Sequence, residues 1–483
     1  MSALDEALAT IRSMEAVLNA RQPAIKRNDA YYRGDHPLLF ASPEFEQATG
    51  GLFENFSDNW CGVVVDSVAE RLSVTGFRLA GGETADAEAM ELWQSNGLDA
   101  DSGLAFVDTL VTARSFISVW ADDEDGKAPQ ITFEHASQVI VGYEPGSRRK
   151  RKAALKRWAD DTYQYATLYL PTHVLKFQRR AQTVDTGGMW TERTVGLPAG
   201  QSWEMPNPLG IVPVVEAQNR PRLVGEPQSE IDTVLPIQDA INTLWAHLLT
   251  ASDYLAFPQR VILGMDRPTR DLVDEAGNVV GTEHVPLSKF RADRIAWLED
   301  PEARIDAWAA ASLDNYTSVI EVAVRHLAAQ TRTPPHYLLG QMVNISAEAL
   351  TAAESGLVAK VRERQTYAAE AIREAMRLAA LVAGNKDRAE GFAKGTVLWR
   401  DPQFRAEAQY ADALSKYKSI GVPDEALWER IPGVTPPEIE RWKTMQAAQR
   451  EADMAAFALK PVGGFGGDEE DGPGKPPANV DGG

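Results

Sequence analysis

Apolar side chains recur at Leu4, Leu8, Ile11, Met14 and Leu18, the spacing of one helix face. Ser2-Ala3-Leu4-Asp5 supplies a capping-box start with Asp in place of Glu, and Pro23 predicts an end or a restart. Between about residues 103 and 216 the pattern shifts to short β-like runs at 116–120, 131–134, 167–170 and 174–177, separated by Gly, Pro and Asp turns. Asp125-Gly126 reads as the turn between Phe116–Trp120 and Gln130–Glu134. An α+β region built from hairpins is the expectation. Helical spacing returns at Ile231, Val234, Leu235, Ile241, Leu244, Trp245, Leu248 and Leu249, where Pro236 must sit in the first turn or kink the helix. A second stripe follows the cap Asp300-Pro301, through Ile305, Trp308, Leu313, Tyr316, Val319, Ile320, Val324 and Leu327. The insert between them, 261–299, carries a hairpin turn at Asp274–Asn278.

Thr331–Leu338 breaks helix, and Leu339–Ile345 reads as a polar loop containing glycine. A very long helix starts after Ser346 or after Thr351, passes Gly356 as a place for a kink, and stops at Gly384-Asn385. Taken from Ala347 to Ala383 it has 37 residues, about 55 Å at 1.5 Å per residue. Shorter helices are expected at 405–420, 424–430 and 436–459. Residues 461–483 contain eight Gly and four Pro, too little apolar material to order themselves. The fold class is therefore α+β and predominantly helical.

The 483 residues carry 69 acidic and 49 basic side chains, a formal charge of −20, which excludes a protein that grips nucleic acid with its whole surface. The terminal stretch takes about four of those negative charges. No apolar run approaches the ~18 residues of a membrane span, and Met1–Thr10 lacks the features of a signal peptide, so a soluble chain that is not exported is expected. Cys61, the single cysteine, lies in an apolar run where a buried structural thiol is the expected role, and it excludes a disulfide or thiolate cluster within one chain.

Catalytic signatures are missing. The seven histidines make no metal-binding pair, no G-x-S-x-G elbow occurs, and Gly474-Lys475 lacks the rest of a phosphate loop. Asp122-Asp123-Glu124-Asp125-Gly126 has Ala121 and Thr132 where an EF-hand needs ligands. No cofactor and no catalytic residue are assigned. One cluster stands out: residues 148–157 hold seven basic side chains in ten positions. It reads as a nucleic-acid patch or as a hairpin tip with a solvated strand, since no aromatic residues interleave it. The second reading is preferred, and contact with an acidic neighbouring subunit is a further option.

Ser229-Glu230-Ile231-Asp232-Thr233-Val234-Leu235-Pro236-Ile237-Gln238-Asp239-Ala240-Ile241-Asn242, followed by 251–260, resembles the first stem helix of tailed-phage portal proteins of the SPP1-like family. Tyr31-Tyr32-Arg33-Gly34-Asp35-His36-Pro37, Thr331–Leu338, Ile345–Leu350 and Glu354-Ser355-Gly356-Leu357 resemble the same family, in the same order. The resemblance implies a non-enzymatic ring, usually of twelve copies, at one capsid vertex of the virion. Through it a terminase threads double-stranded DNA without sequence-specific binding. Further implied partners are the large terminase subunit, head-completion or adaptor proteins, the tail, and the major capsid and scaffolding proteins. The implied portal-like fold has an α/β wing at 1–225, stem helices at 226–260 and 300–332, and a β-containing clip at 261–299. A tunnel loop at 333–346, a wing spine at 347–385, a helical crown at 386–460 and the acidic tail at 461–483 complete it.

Gln341, Asn344 and Ser346 are candidates to face DNA, being polar and in or just after the tunnel loop. Ile241, Leu244, Trp245, Leu248, Val319, Ile320 and Val324 are candidates for packing between subunits. Such stripes usually mean a core within one chain; the resemblance tips the expectation to the ring interface. The competing function is a nucleic-acid-binding adaptor acting through 148–157, and an unrecognised hydrolase is a third class.

Overall fold

The computed structural model describes residues 3–36, 57–121, 128–181, 188–197, 201–256, 260–266, 269–274, 278–284, 295–298, 300–302, 312–340, 347–403, 407–431, 433–434 and 436–458. Helix α1 spans Ala3–Arg33 and α2 Trp60–Ala69; β1 (Val74–Arg78), α3 (Ala87–Ser95) and α4 (Leu98–Thr112) follow. Strands β2 (Arg114–Ala121), β3 (Pro129–His135), β4 (Val139–Tyr143), β5 (Arg151–Ala159), β6 (Tyr163–Tyr169) and β7 (His173–Arg180) come next. The short β8 (Thr191–Glu192) and β9 (Glu204–Pro206) precede β10 (Val214–Gln218). Helix α5 covers Leu235–Ala256, and β11 (Arg260–Leu263), β12 (Thr269–Val273), β13 (Val279–His284) and β14 (Ile295–Leu298) form the insert. Then come α6 (Leu313–Thr331), α7 (Pro335–Leu339), α8 (Ala347–Val382), α9 (Lys386–Ala393), β15 (Thr396–Trp399), α10 (Glu407–Ser419), α11 (Asp424–Trp428) and α12 (Pro436–Ala458). The architecture is mixed, with more helix than strand.

The apolar stripe of α1 lies on the antiparallel sheet β4-β5-β6-β7-β8, with β9 added on β7. Ile11 and Leu18 are fully buried against Leu155, Leu168 and Phe177. Alternation along β5 sends Ala153 and Leu155 toward α1 and Ala154 toward a third cluster containing Ile25, Phe116 and Val214. The helix runs through Pro23, where the pattern predicted an end or a restart. A proline inside a helix costs about 3 kcal/mol, and each buried Ile or Leu returns about 1.5–3 kcal/mol. Leu18 and Ile25, buried on either side of Pro23, outweigh the break.

A second sheet, β10-β2-β3, is antiparallel throughout and backs onto α4 and α8. The β2–β3 pair is the hairpin that the sequence predicts, and its turn at 122–127 lies outside the described residues. Cys61 is fully buried in this main core, and burial pushes its thiol up to about 12, which leaves it inert at neutral pH. The long helix begins at Ala347, not after Thr351. Its end is a Schellman turn: Gly384 at φ +77° donates to the Leu381 carbonyl, and Asn385 donates to that of Ala380.

After residue 386 the sequence predicts only helix, yet β15 pairs antiparallel with β1, matching Val397 to Phe77 and Thr396 to Arg78. Phe392 and Val397 are buried in the main core with Phe77. Four residues are too few to show a period of two. In the insert, β12 and β13 form the expected hairpin around 274–278, while β11 pairs with β14 in parallel. The second helix of the pair is described only from Leu313; Asp300 receives the amide of Glu302 in a turn, and 303–311 lies outside the described residues.

One buried charge cluster joins these parts. Glu230, just before α5, accepts from Arg364 Nε at 2.6 Å and lies 3.2 Å from Lys360 Nζ. Asn219 Nδ2 donates to the same carboxylate at 3.1 Å. Lys360 also donates to the Thr331 carbonyl at 2.9 Å, placing an ammonium on the negative end of α6. Although burial favours its neutral form, the two cations hold Glu230 down at about 2, and burial lowers Lys360.

Glu230→Gln strands both cations, so it is expected to cost about 3–5 kcal/mol of unfolding free energy at neutral pH. The folded carboxylate binds its proton more weakly than the unfolded one, whose value is near 4.5. Its contribution is therefore complete above that value and drains as pH falls toward about 2. Denaturant unfolding of both chains across that window should show curves that converge on acidification; parallel curves would remove the cluster from this role.

Candidate assembly site at the helix pair

Two segments 200 residues apart meet at the root of α5. The first turns of α5 turn Gln238, Asp239 and Asn242 inward, all buried. Asp239 accepts the Tyr31 hydroxyl at 2.6 Å, and burial raises the pKa of both groups. Asn242 Nδ2 sits 2.8 Å from His36 Nδ1. An amide nitrogen only donates, so Nδ1 accepts, and Nε2 donates to the Tyr31 carbonyl at 2.8 Å. The other end of the Asn242 amide accepts from the Asp58 backbone at 3.1 Å, and Gln238 accepts the Trp60 amide at 3.0 Å. Asp58 Oδ2 in turn receives the indoles of Trp60 and Trp245 at 3.0 and 2.9 Å. Asn59 caps α2 through Gly62.

The return helix is seated in a similar way. Arg71 on the α2 side donates to the Tyr337 hydroxyl at 2.5 Å and to Glu354 at 3.4 Å. Thr331 donates to Thr333 across the end of α6. A short helix, α7, occupies Pro335–Leu339 where the sequence predicts only a break, and Gly340 ends it at φ +62°. The segments 31–36, 229–242, 331–338 and 354–357 thus supply the polar contacts that seat both helices on the body.

Of the packing candidates, Ile241, Leu248, Ile320 and Val324 are buried inside the single chain, where α5 and α6 lie on each other and on the main core. Leu244 and Trp245 are half-buried against that same core. Within the single chain, most of this stripe is packed on the helix pair and the main core. Of the candidates only Val319 remains open, 51% exposed, and among the described residues Val322 (46%), Leu255 (43%) and Leu249 (37%) are the other exposed large apolar groups of the pair. Gln341, Asn344 and Ser346 lie outside the described residues. Glu230, Lys360 and Arg364 are the residues that the sequence reading missed; Lys360 and Arg364, basic side chains four apart on the same helix face as the buried Leu357 and Val361, are the signal that marks them.

The basic cluster is a hairpin tip and the strand after it. Glu144 N donates to the Lys150 carbonyl across the tip between β4 and β5. Carboxylates of the same chain meet much of it: Arg149 with Glu370, Arg151 with Glu374 at 2.7 Å, Lys156 with Glu134, and Arg157 with Glu15 at 2.5 Å. Among the described residues no group of three or more His, Cys, Asp or Glu could hold a metal ion, and no helix is long and apolar enough to cross a membrane.

Asn242→Leu would leave His36 Nδ1 and the Asp58 amide without their partner, at a cost of about 1–3 kcal/mol. Amide exchange across 235–256 should accelerate while that of α1 before Pro23 does not change; unaltered exchange in α5 would show that the network does not hold the helix.

The sequence model of the family described as phage portal protein, SPP1 Gp6-like, matches residues 12–452. The portal protein of Mycobacterium phage L5 is 32% identical over 369 residues, covering 74% of this chain and 71% of that protein. The portal protein of Mycobacterium phage D29 aligns with the same identity and coverage. The match includes every segment that seats the helix pair, and the chain belongs to the SPP1 Gp6-like family of phage portal proteins.

Proposed function

We propose that this chain assembles into a closed ring, of twelve copies as in the expectation above, at one vertex of the capsid. The ring forms the channel for DNA packaging and ejection, and it docks the terminase and the head-completion and tail proteins. The family match over 12–452 carries this reading. The helix pair supports it, because α5 leads out to a β-containing insert, α6 leads back, and apolar groups stay exposed on its outer flank. In this reading α5 and α6 are the stem, 261–299 the clip, 333–346 the tunnel loop and α8 the wing spine. The crown is narrowed to the helices after residue 407, because α9 and β15 pack into the core shared with β1.

The chain hydrolyses nothing in this reading; it is a conduit. Duplex DNA carries one negative charge per about 1.7 Å, and a channel wall drawn from a chain of net charge −20 lets it slide without gripping it. The adaptor reading is weaker, since carboxylates of the same chain neutralise much of 148–157.

Because Leu244 packs on the core, Val319 and Val322 are the better probes of the subunit contact. The native mass of the purified chain should fall near 635 kDa, about twelve times 52.9 kDa. Val319→Asp with Val322→Asp should abolish that species while far-UV dichroism is unchanged. Rings that survive both substitutions would refute the contact, and a wild-type chain that stays monomeric with scaffolding protein present would refute the ring.

A further inference from the structure

An open cleft of about 1050 Å³ lies between the β4–β5 hairpin tip, the loop 221–227, the edge of β10 and the middle of α8. Eight arginines and four glutamates line it, a surplus of four positive charges in a chain of net charge −20. Within it Arg114 pairs with Glu216 and Glu226, and Glu374 is shared by Arg151 and Arg377. Arg21 is lowered by burial and by the charge of Arg114, and its Nε has no hydrogen-bond partner among the described residues. At the mouth, Arg148 donates to the Arg222 carbonyl at 2.6 Å, and beside it Leu223 and Val224 are 86% and 88% exposed.

Small-molecule sites of this size are mostly apolar, and this one is not. Phosphate binders have no use for a bare Leu-Val pair, whereas a protein surface brings carboxylates and apolar contact together. The chain itself holds a matching element. The connection from β2 to β3 contains Asp122, Asp123, Glu124 and Asp125. It leaves the sheet at Ala121 and re-enters at Pro129, the end of β2 opposite Arg114. Arg114 and Ala121 are seven residues apart on one strand, about 23 Å at 3.3 Å per residue. The two residues that flank the acidic connection, Ala121 and Pro129, therefore stand at the end of the strand pair far from Arg114 and the cleft. Two different patches on one surface are what a head-to-tail ring contact requires.

We propose that the arginine cleft receives the acidic β2–β3 connection, 122–125, of a second copy of this chain, giving the ring a wing contact of complementary charge. This rests on the ring assembly proposed above and adds which surfaces meet.

The test uses the full-length chain with rings counted by native mass at low salt, where such contacts are strongest. R148E/R149E touches only exposed positions and should reduce the ring fraction at least about tenfold, as should D122K/D123K, with thermal midpoints unchanged. The combined quadruple variant should recover rings to within about threefold of wild type. Either pair leaving rings intact, or a quadruple variant no better than its parents, overturns the contact while wild-type rings keep the ring reading. Removal of 461–483, the other acidic segment, should leave rings unchanged; loss equal to that of R148E/R149E would make the tail the occupant and overturn the proposal. So would loss of binding to a short DNA duplex by R148E/R149E with rings unaffected. A wild-type chain that never forms rings overturns both readings.

Discussion

Lys360 and Arg364 place two positive charges in a hydrophobic core, and the carboxylate of Glu230 sits between them. Bringing ions out of water costs several kcal/mol each unless they are paired and hydrogen-bonded, so the three groups must arrive together. Their positions are the argument: Glu230 opens the path into α5, Lys360 holds the last turn of α6 through Thr331, and both cations stand on α8. The outgoing helix, the returning helix and the long helix are thus fixed to one point. An apolar cluster there could bind equally well in several registers, whereas charge satisfaction admits one.

Above that point a second polar layer, Tyr31, His36, Asp58, Gln238 and Asn242, seats α5 on the end of α1 and the start of α2. All of these but Asp58 are among the residues through which the sequence resembles the portal family. Their roles are positional: they orient the pair so that its flank, with Val319 and Val322, is left outward. The family's signature in this chain therefore records how the helix pair is held more than what the pair touches.

Much of the fold is legible in the sequence because it rests on local period. The stripe of α1, the β2–β3 and β12–β13 hairpins, the placement of Pro236 in the first turn of α5 and the stop at Gly384 all follow from neighbours within a few residues. What was not legible depends on distant partners. Pro23 is tolerated because a sheet over a hundred residues away buries both its flanks. β15 has no pattern of its own and exists because β1 offers an edge. The candidate site divides in the same way. The apolar stripes were visible, but spacing cannot say whether a stripe meets its own chain or a neighbour; α5, α6 and the core close most of it at home. Gln341, Asn344 and Ser346 stay with the sequence argument alone.

The β1–β15 pairing also has a consequence in time. Val74 and Trp399 are partners, yet at about 5–20 residues per second a ribosome needs on the order of 15–60 s to travel between them. Through that interval β1 presents an open edge, the kind of surface that templates wrong pairing, and the core around Phe77 lacks Phe392 and Val397. Contacts of such sequence separation also form slowly once available. The body can therefore close only after most of the chain has been made, so subunits reach one another late, as nearly whole polypeptides.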